Sequence, residues 1–263
     1  MKDFKGLLKL LKRDFNMGRN SIIIRYIFFI IFFLVITLLN IRSMRRMEEA
    51  NSSLVLWDMF KGCSFVDITN GSVNRDFQFP IMWLLINCFI IYALGDYFYN
   101  DLKVNGKYLV IRVKNIRLIY ISKFIWSVIM IFLFYGLLIF LTMALGFLFR
   151  NVGEEVVQEP LIQLAGRIFI LYFFTSVTLT AIFITLTLRF KPVYGFIADT
   201  AILVLSVFSR NRFFIGQQNL LMRHVPYTVE GNLSVVFSII YCIALTMVII
   251  TVGSVLSKRK EIF

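Results

Sequence analysis

Six long apolar stretches constrain this chain more than anything else in it, at residues 21–40, 79–95, 118–149, 161–188, 193–209 and 233–257. Each is near or above the roughly 20 residues a helix needs to cross hydrocarbon. At that length in lipid, only a helix satisfies its own backbone polar groups. The expected fold class is therefore all-α: a polytopic integral membrane protein with six transmembrane helices.

Composition agrees. Of 263 residues, 59% are hydrophobic and 16% are charged, too few polar positions to coat a water-soluble globule. No segment between stretches exceeds about 40 residues, short of an ordinary separate domain. We expect a leader at 1–20 and a single membrane domain at 21–263.

The formal charge is +13, and its placement says more than its sum. With both termini inside, the inner segments carry 18 Lys and Arg and the outer segments 10. Most acids lie with the outer group, among them Glu48, Glu49, Asp58, Asp67, Glu154 and Glu155. The positive-inside rule then places both termini in the cytoplasm, with Arg42, Arg45 and Arg46 as the exception. A bacterial cytoplasmic membrane is the expected location, and nucleic acid is not an expected partner. A cleaved secretory signal fits the first stretch poorly, because its apolar run is too long, contains Arg25 and lacks a small-residue cleavage site. Cys63, Cys88 and Cys242 form no disulfide framework.

In the leader, Phe4, Leu7, Leu8, Leu11 and Phe15 recur at helical spacing, with Lys2, Lys5, Lys9, Lys12 and Arg13 opposite. That pattern predicts an N-terminal amphipathic interfacial helix. The third and fourth stretches outrun a bilayer core, so they must tilt or project. Arg189-Phe190-Lys191-Pro192 is a tight connection that makes the fourth and fifth stretches antiparallel neighbours. Residues 210–232 mix Phe213, Phe214, Leu220 and Leu221 with Arg, Gln and Asn, which reads as an outer re-entrant or interfacial helical hairpin.

His224 is the only histidine, so neither a two-histidine metal motif nor an intramembrane Ser-His-Asp arrangement is expected. Asn105-Gly106-Lys107-Tyr108 lacks the first glycine and the hydroxyl residue of a phosphate loop. The chain is not expected to be an enzyme or to carry a cofactor or metal. Asp199 interrupts an apolar stretch and demands a partner. Lys123 lies at matching depth, so an intramembrane ion pair Lys123–Asp199 is expected, either structural or part of a relay. Asn87 reads as a hydrogen bond between helices.

The inner loop 96–117 carries the most specific pattern. Gly95, Tyr97, Asp101-Leu102, Gly106, Arg112, Arg117, Ser122-Lys123 and Trp126 resemble the ABC-2 type permeases, the membrane subunits of a class of bacterial ABC exporters. An Ile119-Tyr120 pair stands where paired aromatics are more usual. The resemblance implies a half-transporter with a second permease subunit, identical or related, and two copies of an ABC ATPase that carries the ATP and Mg. Loop 96–117 would be the coupling element seated on that ATPase, through Asp96, Tyr97, Asp101, Leu102, Gly106, Arg112 and Arg117. The leader would be the gate helix, and the cargo an amphipathic substrate such as an antimicrobial or toxin peptide, in keeping with 29 Phe in the chain. The competing readings are a membrane scaffold without transport and a lipid-modifying membrane enzyme, for which Asp96 and Asp101 are the only inner acid pair.

Overall fold

The computed structural model describes residues 2–46, 52–64, 68, 79–113, 116–148, 160–225, 227 and 233–257. The described residues are helical, without strands. Among the described residues, seven α-helices run in the order α1 (Lys2–Arg46), α2 (Ser52–Phe60), α3 (Ile81–Val113), α4 (Ile116–Leu148), α5 (Leu161–Thr187), α6 (Pro192–Phe208) and α7 (Val235–Leu256). Two 3₁₀ turns, Ile215–Asn219 and Leu221–Arg223, lie between α6 and α7.

Prolines and a cap set several boundaries. Pro80 and Pro160 precede α3 and α5, and Pro192 is the first residue of α6, where its missing N–H costs nothing. At α7 the Ser234 hydroxyl accepts from the Phe237 N–H at 3.1 Å, an N-cap.

Five helices contain a segment long and apolar enough to cross a membrane: 22–45, 81–101, 117–148, 161–187 and 235–256. The fifth apolar stretch folds as α6, whose 17 residues make the shortest of the apolar helices expected to span. Large apolar side chains such as Ile24 and Phe28 on α1, Ile197 on α6 and Ile240 and Met247 on α7 cover the outside. A water-soluble surface does not look like this.

Buried α5 is the hub of the packing, touching α2, α3, α4, α6, α7 and the 3₁₀ segment. Hydroxyls join it to its neighbours: Tyr135 Oη to Ser176 Oγ at 2.6 Å, Thr178 Oγ1 to Thr246 Oγ1 at 2.9 Å, and Tyr120 Oη to Thr185 Oγ1 at 2.9 Å. Small hydroxyl residues allow close helix approach and supply hydrogen bonds where water is excluded. The Tyr120 contact, which also reaches Gly253, puts the start of α4, the end of α5 and the end of α7 at one end of the bundle. At the other end Tyr172 donates to the Phe60 carbonyl at 2.9 Å, and Trp83 meets Asn219.

Two sequence expectations are corrected. The leader is not a separate interfacial helix: α1 runs unbroken for 45 residues, about 68 Å at 1.5 Å per residue. Nothing between residues 15 and 25 breaks a helix, and Gly18 sits against the Trp126 ring, so close that an added Cβ would lie 2.5 Å from it. The inner loop 96–117 is largely helix as well. α3 continues to Val113 and α4 begins at Ile116, so the two form a long hairpin reaching past Asp101. No proline interrupts that run, and one interior glycine, Gly106, costs only about 1 kcal/mol.

α4 and α2 approach closely at the backbone, where a Cβ on Gly146 would lie 2.9 Å from Ser52 Cα. Gly166 on α5 has nothing within 4 Å of the same position. Gly146→Ala should lower the thermal stability of the detergent-solubilised chain by about 1–3 kcal/mol, as overpacking does. Gly166→Ala should leave it unchanged or raise it by up to about 1 kcal/mol. Equal melting of the two variants would contradict the α2–α4 contact.

Candidate functional site

A carboxylate on the packed face of α1 organises the densest cluster of charge among the described residues. Asp14 falls in helical phase with Leu7, Leu10, Leu11 and Gly18, so the face that lays Leu10 and Gly18 against the bundle also carries Asp14 inward. Lys123, near the start of α4, reaches Asp14 Oδ1 at 2.9 Å and Asp101 Oδ2 at 2.5 Å. Arg13 donates to both acids, at 2.9 Å to Asp14 and more closely to Asp101. Ser122 Oγ donates to Asp14 Oδ2 at 2.7 Å, and Asn105, one turn beyond Asp101 on α3, donates to Asp101 Oδ1 at 2.8 Å.

Tyr97 closes the cluster. Lys123 Nζ lies 3.1 Å from its hydroxyl and 4.3 Å from its ring centroid, and the ring packs on Trp126 with centroids 4.4 Å apart. Two acids thus meet two bases, with no excess charge. Lys123, Asp14 and Asp101 are buried, and Arg13 keeps partial exposure. In a low-dielectric interior each single charge would cost several kcal/mol to desolvate, so the four hold together as a set. The arrangement clamps three elements: the first half of α1, the projecting part of α3 and the root of α4.

The expected pair Lys123–Asp199 does not form. Lys123 is committed to Asp14 and Asp101, while Asp199 on α6 is fully buried with neither carboxylate oxygen hydrogen-bonded. Counting along the helices supplies depth but not direction: Lys123 points towards α1 and α3. Of the expected coupling residues, Tyr97 and Asp101 belong to the cluster, and Arg117 is half-buried on the first turn of α4. The side chains of Asp96, Leu102, Gly106 and Arg112 lie outside the described residues, although their backbone is helical. On the leader, Leu7 and Leu11 are half-buried. Leu8 and Phe15 point outward at 50% and 37% exposure, and the Phe4 side chain is outside the described residues. Asp14 itself is the residue that sequence reading missed; its signal was an acid in phase with the leader's apolar face.

A second polar network occupies the opposite end. The expected helical hairpin at 210–232 is instead an irregular segment folded into the bundle, with residues 226 and 228–232 outside the described part. Leu220 and Leu221 are fully buried, Phe214 is half-buried, and Phe213 stays exposed against Phe237 and Tyr241. Asn219 donates to Asn87 Oδ1 at 2.7 Å and accepts from Trp83 Nε1 at 2.9 Å, so the expected bonding of Asn87 across elements is present. Arg223 donates to the carbonyls of Ser206 at 2.8 Å, Ser209 at 3.2 Å and Val207. These are the carbonyls a helix leaves unsatisfied at its C-terminus, where a cation also meets the negative end of the dipole. His224 lies between the Leu220 carbonyl at 3.2 Å and Ser238 Oγ at 3.0 Å.

The chain belongs to the family described as protein of unknown function (DUF2705), whose model matches residues 44–263. No curated protein and no solved structure matches it.

Lys123→Met should cost about 3–5 kcal/mol, because it leaves an excess buried negative charge. Adding Asp14→Leu restores neutrality, so the double variant should unfold later than Lys123→Met alone in a denaturant titration in detergent. Additive losses would show that the charges do not act as a set.

Proposed function

We propose that this DUF2705 member is the membrane subunit of an ATP-driven exporter in a bacterial cytoplasmic membrane. It pairs with a second permease chain, identical or related, and with two copies of an ATPase that supplies the ATP and Mg chemistry. In this reading the chain itself carries no catalytic group. α6, continued by the folded-in segment 210–225, makes the sixth crossing, and both termini face the cytoplasm.

The observation that carries the reading is the four-charge clamp of Asp14, Arg13, Asp101 and Lys123. It joins the leader to a helical hairpin that projects beyond the apolar segments. A push on the tip of that hairpin, which includes Gly106 and Arg112, would reach α1 and α4 as one rigid body, a lever suited to hinge and shear motion. The ATPase would seat on the tip, and the leader would follow as the gate. Neither a passive anchor nor a lipid-modifying enzyme has need of such a linkage. The cargo is an amphipathic molecule, a peptide of antimicrobial or toxin type being the best fit to so aromatic a chain.

Affinity purification of the full chain from its native host in mild detergent should recover a P-loop ATPase in stoichiometric amount, together with ATP hydrolysis. Gly106→Pro breaks α3 within its projecting part and should abolish that recovery while the chain still inserts. Undiminished ATPase with Gly106→Pro, or isolation of the wild-type chain alone, would overturn the proposal.

A further inference from the structure

Asp199 is the charge-bearing group that the clamp does not use. It lies on the stripe of α6 that also carries Gly195, Leu203 and Ser206, all buried, and is itself 0% exposed. Gly195 packs on the ring of Phe183 on α5, which also fills the space beside Gly95 of α3. One turn further along α6 is Asp199, and one turn back along α5 is Thr180, so the two come to about the same level of the hairpin. Counting from the tight connection gives the same answer: Thr180 is seven residues before Thr187, and Asp199 seven after Pro192. The Thr180 hydroxyl is 1% exposed and, like both Asp199 oxygens, has no hydrogen-bond partner.

Among the described residues, the neighbouring elements offer no counter-charge. α5 has no ionisable side chain between Tyr172 and its end. α3 presents the thiol of Cys88, 3.7 Å from the Thr200 hydroxyl, and Tyr92, whose ring meets Phe196. In the 3₁₀ segment Arg223 is spent on the carbonyls at the far end of α6, about 10 Å along the helix from Asp199 at 1.5 Å per residue, and His224 bonds to Leu220 and Ser238. Lys123 and Arg13 are held by Asp14 and Asp101. A carboxylate in such a place would be uncompensated, a cost that proteins avoid by neutralising the group. One carboxyl and one hydroxyl are too few oxygens for a metal cation, which takes about six. They suit a proton, which makes the carboxyl a neutral acid, with the Thr180 hydroxyl near its level on the hairpin but not hydrogen-bonded to it.

We infer that Asp199 is a proton-binding site, in which the carboxylate takes up one proton from water to become a neutral acid while the α5–α6 hairpin is packed on α3. Separation of that hairpin from α3 hydrates the group and releases the proton, so proton exchange is linked to the conformation of the bundle. The inference stands independently of the exporter reading.

The test is infrared spectroscopy of the full-length purified chain at neutral pH, in light and heavy water. Wild type should show a carboxylic-acid carbonyl band that Asp199→Asn removes, whereas Asp14→Leu/Lys123→Met leaves it in place. Thr180→Val should keep the band and shift its frequency, which provides a readout if Asp199→Asn fails to fold. Asp199→Asn should also remove part of the stability loss that the wild type suffers at alkaline pH. Loss of a carboxylate band instead of an acid band on Asp199→Asn, an acid band unmoved by Thr180→Val, or an acid band abolished by added sodium would overturn the proton assignment.

Discussion

A charge removed from water must be matched where it lies, and that requirement shapes this bundle more than apolar packing does. Apolar contact alone lets helices of this kind rotate and slide, because any Leu or Phe face suits another or suits lipid equally well. The four charges around Lys123 have one arrangement in which every member is paired. Fixing them fixes the rotation of α1, since Asp14 can face Lys123 only if Leu8 and Phe15 turn outward. It also fixes the registry of α3 against α4. Gly18 follows from the same constraint, because the approach that brings Asp14 to Lys123 leaves no room for a side chain beside Trp126.

Buried α5 resolves the opposite problem, how to contact many neighbours without charge. Thr178 and Thr185 return hydrogen bonds to backbone carbonyls of α5, those of Phe174 at 2.9 Å and Ala181 at 2.8 Å, and share the hydroxyl with a second helix. Such bonds are weak singly, on the order of 1 kcal/mol. They break and re-form with little penalty, unlike the clamp. The bundle thus combines one rigid joint at its Lys123 end with softer seams along α5, and motion between rigid parts would occur along those seams.

The helices themselves were legible in the sequence because length and hydropathy act locally. Spans 118–149 and 161–188 correspond closely to α4 and α5. What depended on direction was harder to read. Counting along the sequence puts Lys123 and Asp199 at comparable depth, and depth is all that such counting supplies; which way each side chain points depends on how three helices are rotated. Segment 96–117 reads as an inner loop holding a short cytoplasmic helix, because its composition turns polar where the apolar run ends. Polarity marks the end of the hydrocarbon, not of the helix, and α3 continues to Val113. Asp14 was hidden for a related reason: in a leader dominated by lysine, an acid on the apolar side reads as an exception until its partner is known. The folded-in segment after α6 was recognisable by its large apolar residues, but its irregular backbone was not.

That irregular backbone has a physical rationale. α6 has 17 residues and is about 26 Å long, short of a hydrocarbon core of roughly 30 Å. If it crosses a bilayer, its C-terminal carbonyls end where water is scarce and need donors from the protein. Arg223 provides them, and the chain must fold back inward to bring it there. Non-helical backbone is tolerated at such depth only when its own polar groups are satisfied inside protein. The side chains of Gln217, Gln218 and Asn219 serve that end, each reaching a backbone or side-chain partner on a neighbouring element or within the segment. α6 is consequently fastened at its C-terminus by a cation and several amides, while its first half carries an acid with no partner. A helix held so unevenly has one fixed end and one free to part from its neighbours, which places any opening of the α5–α6 hairpin on the Asp199 side.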